Sequence, residues 1–399
     1  MGNGKLTITT QRSKGAKVSL SRNRGLIKST LVAGLITSTM VLMTACSSGS
    51  SDAAGSAASP AAPAAEATAA APSAAASEAP PAELTKVAYL MPWVIQGEEA
   101  GQFAAVEQGF FNDEGIEVEI VPGGPDARAG ALLASGSVQF AVMNPAGIYT
   151  NRAEGIPVVG VGGINQVDGL LVMCKTSTGI KSFGDLKGKK VGVWLGGGEA
   201  GFQAAAVTEG LAVADVEWLP QKFSMEEFFN DAFDCASATE WNEKHIVYKE
   251  GYKAGVDVVE LRPADIGLFL PGDSIATLES TVADQPELVQ GMVNATLRGW
   301  QWVCSSPENR KTGAQYTVDA APDLDLGLQI IQVEEMCSLM AQGPAKAEGA
   351  IGAVSVDSWK QSADATLAAG QLTEPADVPS ALTTQFVDAV PAEYRKITW

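Results

Sequence analysis

The sequence predicts an α/β protein of two lobes, with mainly parallel sheets, a cleft between the lobes and a helical C-terminal part. Three observations carry this. Short apolar runs and amphipathic runs alternate twice, over residues 86–161 and again over 170–261, the order that builds parallel strands with crossover helices. After Arg262-Pro263 the alternation gives way to helical periodicity alone. The stretch 84–399 is also long enough to bury the cores of two such lobes.

The first alternation opens with a strand from Lys86 to Met91, stopped by Pro92-Trp93. Gly97 to Gly109 follows as a helix with Ala100, Phe103 and Ala104 on one face. The turn Asn112-Asp113-Glu114-Gly115 leads into the alternating strand Ile116 to Val121, and Gly123-Gly124-Pro125 introduces a helix from Asp126 to Ser135. Val138 to Met143 is a strand closed by Asn144-Pro145, Ala146 to Glu154 a helix, and Val158 to Val161 a fourth strand.

The second alternation begins with the apolar run Leu170 to Lys175 and a capped turn from Ser182. Strand Lys190 to Leu195 then meets Gly196-Gly197-Gly198 and an Ala-rich helix through Ala206. Strands at 216–219, 235–238 and 256–261 are separated by helices at 225–231 and 240–250. Residues 282–305, 324–341 and 356–367 read as helices with no strand among them. Lobe one is expected over 84–174 and 268–399 and lobe two over 175–267, with crossings near Lys175 and Asp265.

Residues 1–45 hold seven Lys and Arg and no acid, and an apolar run from Leu31 to Met43 precedes Thr44-Ala45-Cys46. A basic start, a short apolar run and small residues before a cut read as an export signal. The Cys after Leu42-Met43-Thr44-Ala45 resembles a bacterial lipobox, which implies acylation of Cys46 and a chain anchored on the extracytoplasmic face of the membrane by lipid only. Residues 46–83, nearly all Ala, Ser and Pro, read as a disordered tether that spans on the order of 100 Å when extended. With the signal removed, 20 of the 27 basic residues remain beside all 46 acidic ones, a formal charge of −26. Such a surface is repelled by nucleic acid and anionic lipid. Cys174, Cys235, Cys304 and Cys337 remain, with no zinc spacing and a single histidine, His245, in the chain. In an exported chain disulfides are allowed. Cys304 and Cys337, both in the helical third, are the first pair expected, while Cys174 and Cys235 form either a second bridge or two buried thiols.

Several motifs then carry a resemblance. They are Trp93 with Ala100-Gly101 and Glu107-x-Gly109-Phe110-Phe111, Gly115-Ile116-Glu117-Val118, Gly123-Gly124-Pro125, the run Phe183-x-Asp185-Leu186-Lys187-Gly188-Lys189-Lys190-Val191-Gly192, and Ala236-Ser237-Ala238-Thr239-x-x-Asn242-Glu243. From Lys86 to Trp302 the chain resembles the type II periplasmic binding proteins of ABC importers, in the branch taking nitrate, sulfonates, taurine, thiamine-pyrimidine precursors and riboflavin. Trp241 stands where the pyrimidine-type branch commonly has Tyr. The resemblance implies a monomer without a cofactor that closes on a small molecule and delivers it to a permease and ATPase complex.

In open sheets, ligands sit off the carboxyl ends of strands. Trp93, Trp194, Phe202 and Trp241 are the aromatic residues expected at the cleft, and Gln96, Glu98, Asn144, Asp168, Glu199, Asn242 and Glu243 the polar ones. Gly196, Gly197 and Gly198 would let backbone amides approach a ligand. Aromatic faces stack planar rings, and carboxylates and amides accept from N–H groups. Lys and Arg are missing from these turns, with Arg128 and Arg152 the nearest cations, so the expected ligand is a nitrogen-bearing heteroaromatic compound rather than nitrate, sulfonate or taurine. Two enzyme readings weigh less. A pyrimidine-phosphate synthase of this fold uses a histidine, a Cys-rich segment and a lysine-bound cofactor inside the cell, and here one histidine stands behind an export signal. Gly196-x-Gly198-x-x-Gly201 with Glu217 satisfies a dinucleotide fingerprint, but it follows five strands instead of opening the first βαβ unit. A ligand-sensing lipoprotein without a transporter is the remaining alternative.

Overall fold

A computed structural model describes residues 83–399 apart from Pro125, Gly196 and Gly197. The expected signal, tether and Cys46 therefore lie outside the described residues. The strands are β1 Thr85–Leu90, β2 Ile116–Val121, β3 Phe140–Met143, β4 Val158–Gly163, β5 Leu170–Lys175, β6 Lys190–Val193, β7 Glu217–Pro220, β8 Cys235–Thr239, β9 Val258–Leu261 and β10 Ser274–Leu278. They form two five-stranded sheets in the orders β2-β1-β3-β10-β4 and β7-β6-β8-β5-β9. Each sheet carries one strand running against its neighbours, β10 in the first and β5 in the second. The other paired strands run parallel.

Both odd strands correct the sequence reading. The sequence reading places no strand after Leu261, yet the five residues of β10, Ser274-Ile275-Ala276-Thr277-Leu278, sit between β3 and β4 with four of them buried. β5 pairs with β8 and β9, so the chain leaves the first sheet over 164–169, ahead of β5 and not after it at Lys175.

The larger helices are α1 Ala100–Glu107, α2 Ala129–Ala134, α3 Pro145–Ala153, α4 Ala200–Thr208, α5 Glu243–Lys249, α6 Pro286–Cys304, α7 Pro307–Ala320, α8 Leu326–Met340 and α9 Val356–Ala368. α7 fills a gap between expected helices. Ser306 caps it, its Oγ accepting from Asn309 N, and Pro307 sits at its first position, where a missing N–H costs nothing. α6 is the centre of the first lobe's core: Val289, Met292, Val293, Leu297 and Trp300 are all buried in one cluster with Tyr89 and Phe111. Its close approach to α1 depends on small residues. A Cβ at Gly101 would lie 2.2 Å from the Trp300 ring, and one at Gly299 would lie 2.2 Å from the Gly101 carbonyl. Removing a fully buried indole such as Trp300 typically costs about 3–5 kcal/mol.

The C-terminal helices reach both lobes. Trp359 on α9 packs edge-on to Tyr149 of α3 and lies where a Cβ on Gly160 of β4 would be, 2.5 Å from its ring. Farther along α9, Ala365 packs with Ala204 and Leu270, and Ala369, which caps the helix, packs with Ala146 and Ala200. Cys304 at the end of α6 is joined to Cys337 on α8, and Cys174 on β5 to Cys235 on the facing residue of β8. The first bridge spans 33 residues of sequence, a loop whose closure restricts the unfolded chain by roughly 3–4 kcal/mol in the chain-entropy model. Replacing Cys304 and Cys337 together by Ala is expected to lower the unfolding free energy by about 2–4 kcal/mol, measured as a shift of the urea midpoint.

Candidate functional site

Two crossings, residues 164–169 and 262–273, join the sheets and hydrogen-bond to each other. Ile164 N donates to Asp273 O at 2.8 Å, Asp168 N to Leu270 O at 2.9 Å, and Asp273 N to Asn165 Oδ1 at 2.8 Å. Gly272 makes room for this pairing, because a Cβ there would lie 2.1 Å from the Asn165 amide. Above the crossings opens a cleft of about 1000 Å³, large enough for a drug-sized ring system.

Strand ends of both sheets supply its walls. From the first lobe come Trp93, Gln96, Glu98 and Asn144; from the second, Trp194, Gly198, Glu199, Thr239, Trp241 and Glu243; from the crossings, Asn165, Asp168 and Asp273. Asn144 caps α3, its Oδ1 accepting from Gly147 N at 2.8 Å. At the mouth three rings meet across the lobes: Trp93 lies 6.0 Å from Trp194 and 5.1 Å from Phe223, centroid to centroid, at tilted angles. Trp194 Nε1 donates to the Lys222 carbonyl at 3.4 Å, tying two second-lobe turns together.

The floor is acidic. Burial raises Glu98 to about 7, with Asp273 and Glu243 adding repulsion, and Glu98 accepts support from Glu99 and Gln96. Burial likewise raises Asp168 to about 7, with Asp273 contributing, and Asp273 to about 6. Glu99 is pushed well above the carboxylate range by burial and by Glu98. Glu243 is raised by burial, and its oxygens are met by Thr239 N at 3.0 Å, Thr239 Oγ1 at 2.8 Å and Asn242 Nδ2 at 2.8 Å. Among the described lining residues the one Lys or Arg is Arg128, exposed at the rim. Arg152 turns elsewhere, to the Val158 carbonyl and Glu279.

Twelve expected site residues fall on described chain positions, and ten of these line the cleft: Trp93, Gln96, Glu98, Asn144, Asp168, Trp194, Gly198, Glu199, Trp241 and Glu243. Gly196 and Gly197 lie outside the described residues. Two expectations are corrected. Phe202 is 1 % exposed in the second lobe's core with Val193 and Ala205, because α4 starts at Ala200 and turns its third residue onto the sheet. Asn242 is spent on protein partners, donating to Glu243 and accepting from Gln332 Nε2 at 3.0 Å. Sequence reasoning missed Phe223, which follows β7 and was open to the strand-end rule. It also missed Thr239, Asn165 and Asp273, and for Asp273 the signal depends on recognising β10.

The protein-family model described as "NMT1/THI5 like" matches residues 96–310. The riboflavin-binding protein RibY of Chloroflexus aurantiacus is 28% identical over 310 residues, 76% of this chain and 86% of that protein. The formylaminopyrimidine-binding protein of Halalkalibacterium halodurans is 23% identical, over 70% of this chain and 83% of its own. A 4-amino-5-hydroxymethyl-2-methylpyrimidine phosphate synthase of Legionella pneumophila is also 23% identical, over 56% and 71%. The alkanesulfonate-binding protein SsuA from Xanthomonas axonopodis pv. citri superposes with a TM-score of 0.58 at 14% identity, covering 76% of this chain and 99% of that one. The architecture is thus the two-lobed periplasmic binding protein fold. No helix among the described residues is long and apolar enough to cross a membrane.

The floor's charge state has a measurable consequence. Glu98 holds its proton to about 7 in the folded protein, above its ordinary 4.5, so the folded state binds more protons than the unfolded chain between those values. Stability of the empty protein therefore falls as pH rises from about 4.5 to about 7. Glu98→Gln removes its share of that fall, on the order of 2–3 kcal/mol near pH 8, and thermal melts of the two proteins across this range should diverge as pH rises.

Proposed function

The chain belongs to the NMT1/THI5-like family, and from that premise we propose that it is the extracytoplasmic binding component of an ABC importer. In this reading it is a lipoprotein anchored through Cys46. Its lobes close on a small nitrogen-containing heteroaromatic compound, of the thiamine-pyrimidine precursor or riboflavin kind, and present it to a permease and ATPase complex. The observation that carries the ligand class is the cleft wall: aromatic rings at the mouth above a floor of carboxylates and amides, with one cation at the rim. Planar faces stack on such rings, and N–H groups donate to such a floor. Nitrate or sulfonate would meet repulsion there. The named binders of riboflavin and formylaminopyrimidine among its relatives support the same choice.

Binding without chemistry fits the residues better than a synthase does. His245, the chain's single histidine, sits on α5 with Nε2 3.0 Å from Glu335 Oε1 and is not among the cleft's lining residues. A genomic neighbourhood with a permease and an ATPase separates an importer component from a free-standing sensor.

Calorimetric titration of the protein with aminopyrimidines, riboflavin, taurine, alkanesulfonates and nitrate tests the reading. Heat is expected with a heteroaromatic compound, and heat with the anions alone overturns it. Trp93→Ala is expected to weaken that binding about 10- to 100-fold, since stacking and the apolar area of the ring are both lost.

A further inference from the structure

Gln332 lies on α8, beyond the residues that match the family, and is 1 % exposed. Its side chain touches both lobes. Oε1 accepts the Gly97 N–H at 2.8 Å, shared with Gln329 Oε1 at 2.7 Å, while Nε2 donates to Gln96 Oε1 at 3.3 Å and to Asn242 Oδ1 at 3.0 Å. A backbone N–H can only donate, so the Gly97 contact fixes which end of the Gln332 amide is oxygen. The order then propagates. Because Gln332 Nε2 donates, Gln96 and Asn242 must each offer it a carbonyl oxygen. Asn242 Nδ2 is left to donate to Glu243 Oε1 at 2.8 Å, and Thr239 fills Glu243 Oε2 with its N–H and hydroxyl. Gln96, its carbonyl engaged, has only its NH₂ left to donate, with one N–H to Glu98 beside it and one for the cleft that both line.

We propose that Gln332 is a positioning residue that sets ligand specificity from outside the cleft. It makes Gln96 a hydrogen-bond donor on one lobe and holds Glu243 as an acceptor on the other, so the cleft offers donor and acceptor in a fixed order. A ring nitrogen beside an exocyclic amino group matches that order. The corresponding oxo ring, with N–H beside C=O, presents the reverse. This rests on the heteroaromatic reading above and narrows it to amino-substituted rings.

The test is calorimetric titration with 4-amino-5-hydroxymethyl-2-methylpyrimidine, its 4-oxo counterpart and riboflavin. The protein is expected to prefer the amino over the oxo compound by about 10-fold or more. Gln332→Glu still accepts from Gly97 but cannot donate, so Gln96 turns its NH₂ inward and its carbonyl to the cleft. The preference then falls about 10-fold or reverses. Asn242→Asp accepts from Gln332 but cannot donate to Glu243, and serves as the second variant with the same expected direction; melting curves establish that each variant is folded. A purely structural Gln332 would weaken both pyrimidines alike, and an unchanged ratio overturns the proposal. So does a parent protein that binds both equally, or one that takes riboflavin and neither pyrimidine. A parent protein that takes none of the three overturns the heteroaromatic reading as well.

Discussion

Two passages of chain, hydrogen-bonded to one another, hold the cleft in being. Asn165 grips the backbone of Asp273, Ile164 donates back to the same residue, and Asp168 reaches the Leu270 carbonyl. Without those contacts the lobes would be tethered by independent linkers, and side chains delivered from two sheets would have no fixed relation. With them, the strand ends carrying Trp93 and Asn144 face those carrying Trp194 and Glu243 at a set spacing. The passages also contribute chemistry, because Asp168 and Asp273 lie in them and line the cleft. The crossings that join the sheets are thus also part of the recognition surface.

That arrangement puts carboxylates together in a place with little water, which costs free energy unless donors or protons compensate. Both kinds of compensation are present. Glu243 receives three donors from Thr239 and Asn242, and Glu98 and Asp168 hold protons up to about pH 7. A lysine or arginine in the floor would have been the simpler remedy, and the described lining offers only Arg128 at the rim. A wall of this kind is complementary to a guest rich in N–H groups.

The sequence made the strands legible wherever apolar runs ended in a breaker. β1 stops at Pro92, β3 at Asn144-Pro145 and β6 at the glycine run, and the cleft residues nearest those stops were found by that rule. β10 escaped because its five residues lie past the point where the alternation ends and run straight into a helix at Glu279, with no Pro or Gly stop between them. Helix phase was the second loss. Phe202 and Glu199 are three residues apart at the start of α4, yet one enters the core and the other the cleft, and periodicity fixes spacing but not which face meets the sheet. Asn242 failed for a different reason. Its partner Gln332 is 90 residues away, and no local pattern announces a contact of that separation.

The close seating of Trp300 on Gly101, of Trp359 on Gly160 and of Cys337 on Cys304 has a consequence for how this chain can be divided. The stretch that the family model matches runs from 96 to 310, and its limits cut through the first lobe's structure on both sides. β1, an inner strand of the first sheet, precedes it. The helix bonded to Gly97, the ring that covers Gly160 and one half of a disulfide follow it. A fragment cut at those limits would expose an unpaired sheet edge on β3 and strip the cover from β4. The borders of the matched stretch are therefore not the borders of the packed unit, whose first sheet and core cover extend past both ends of it.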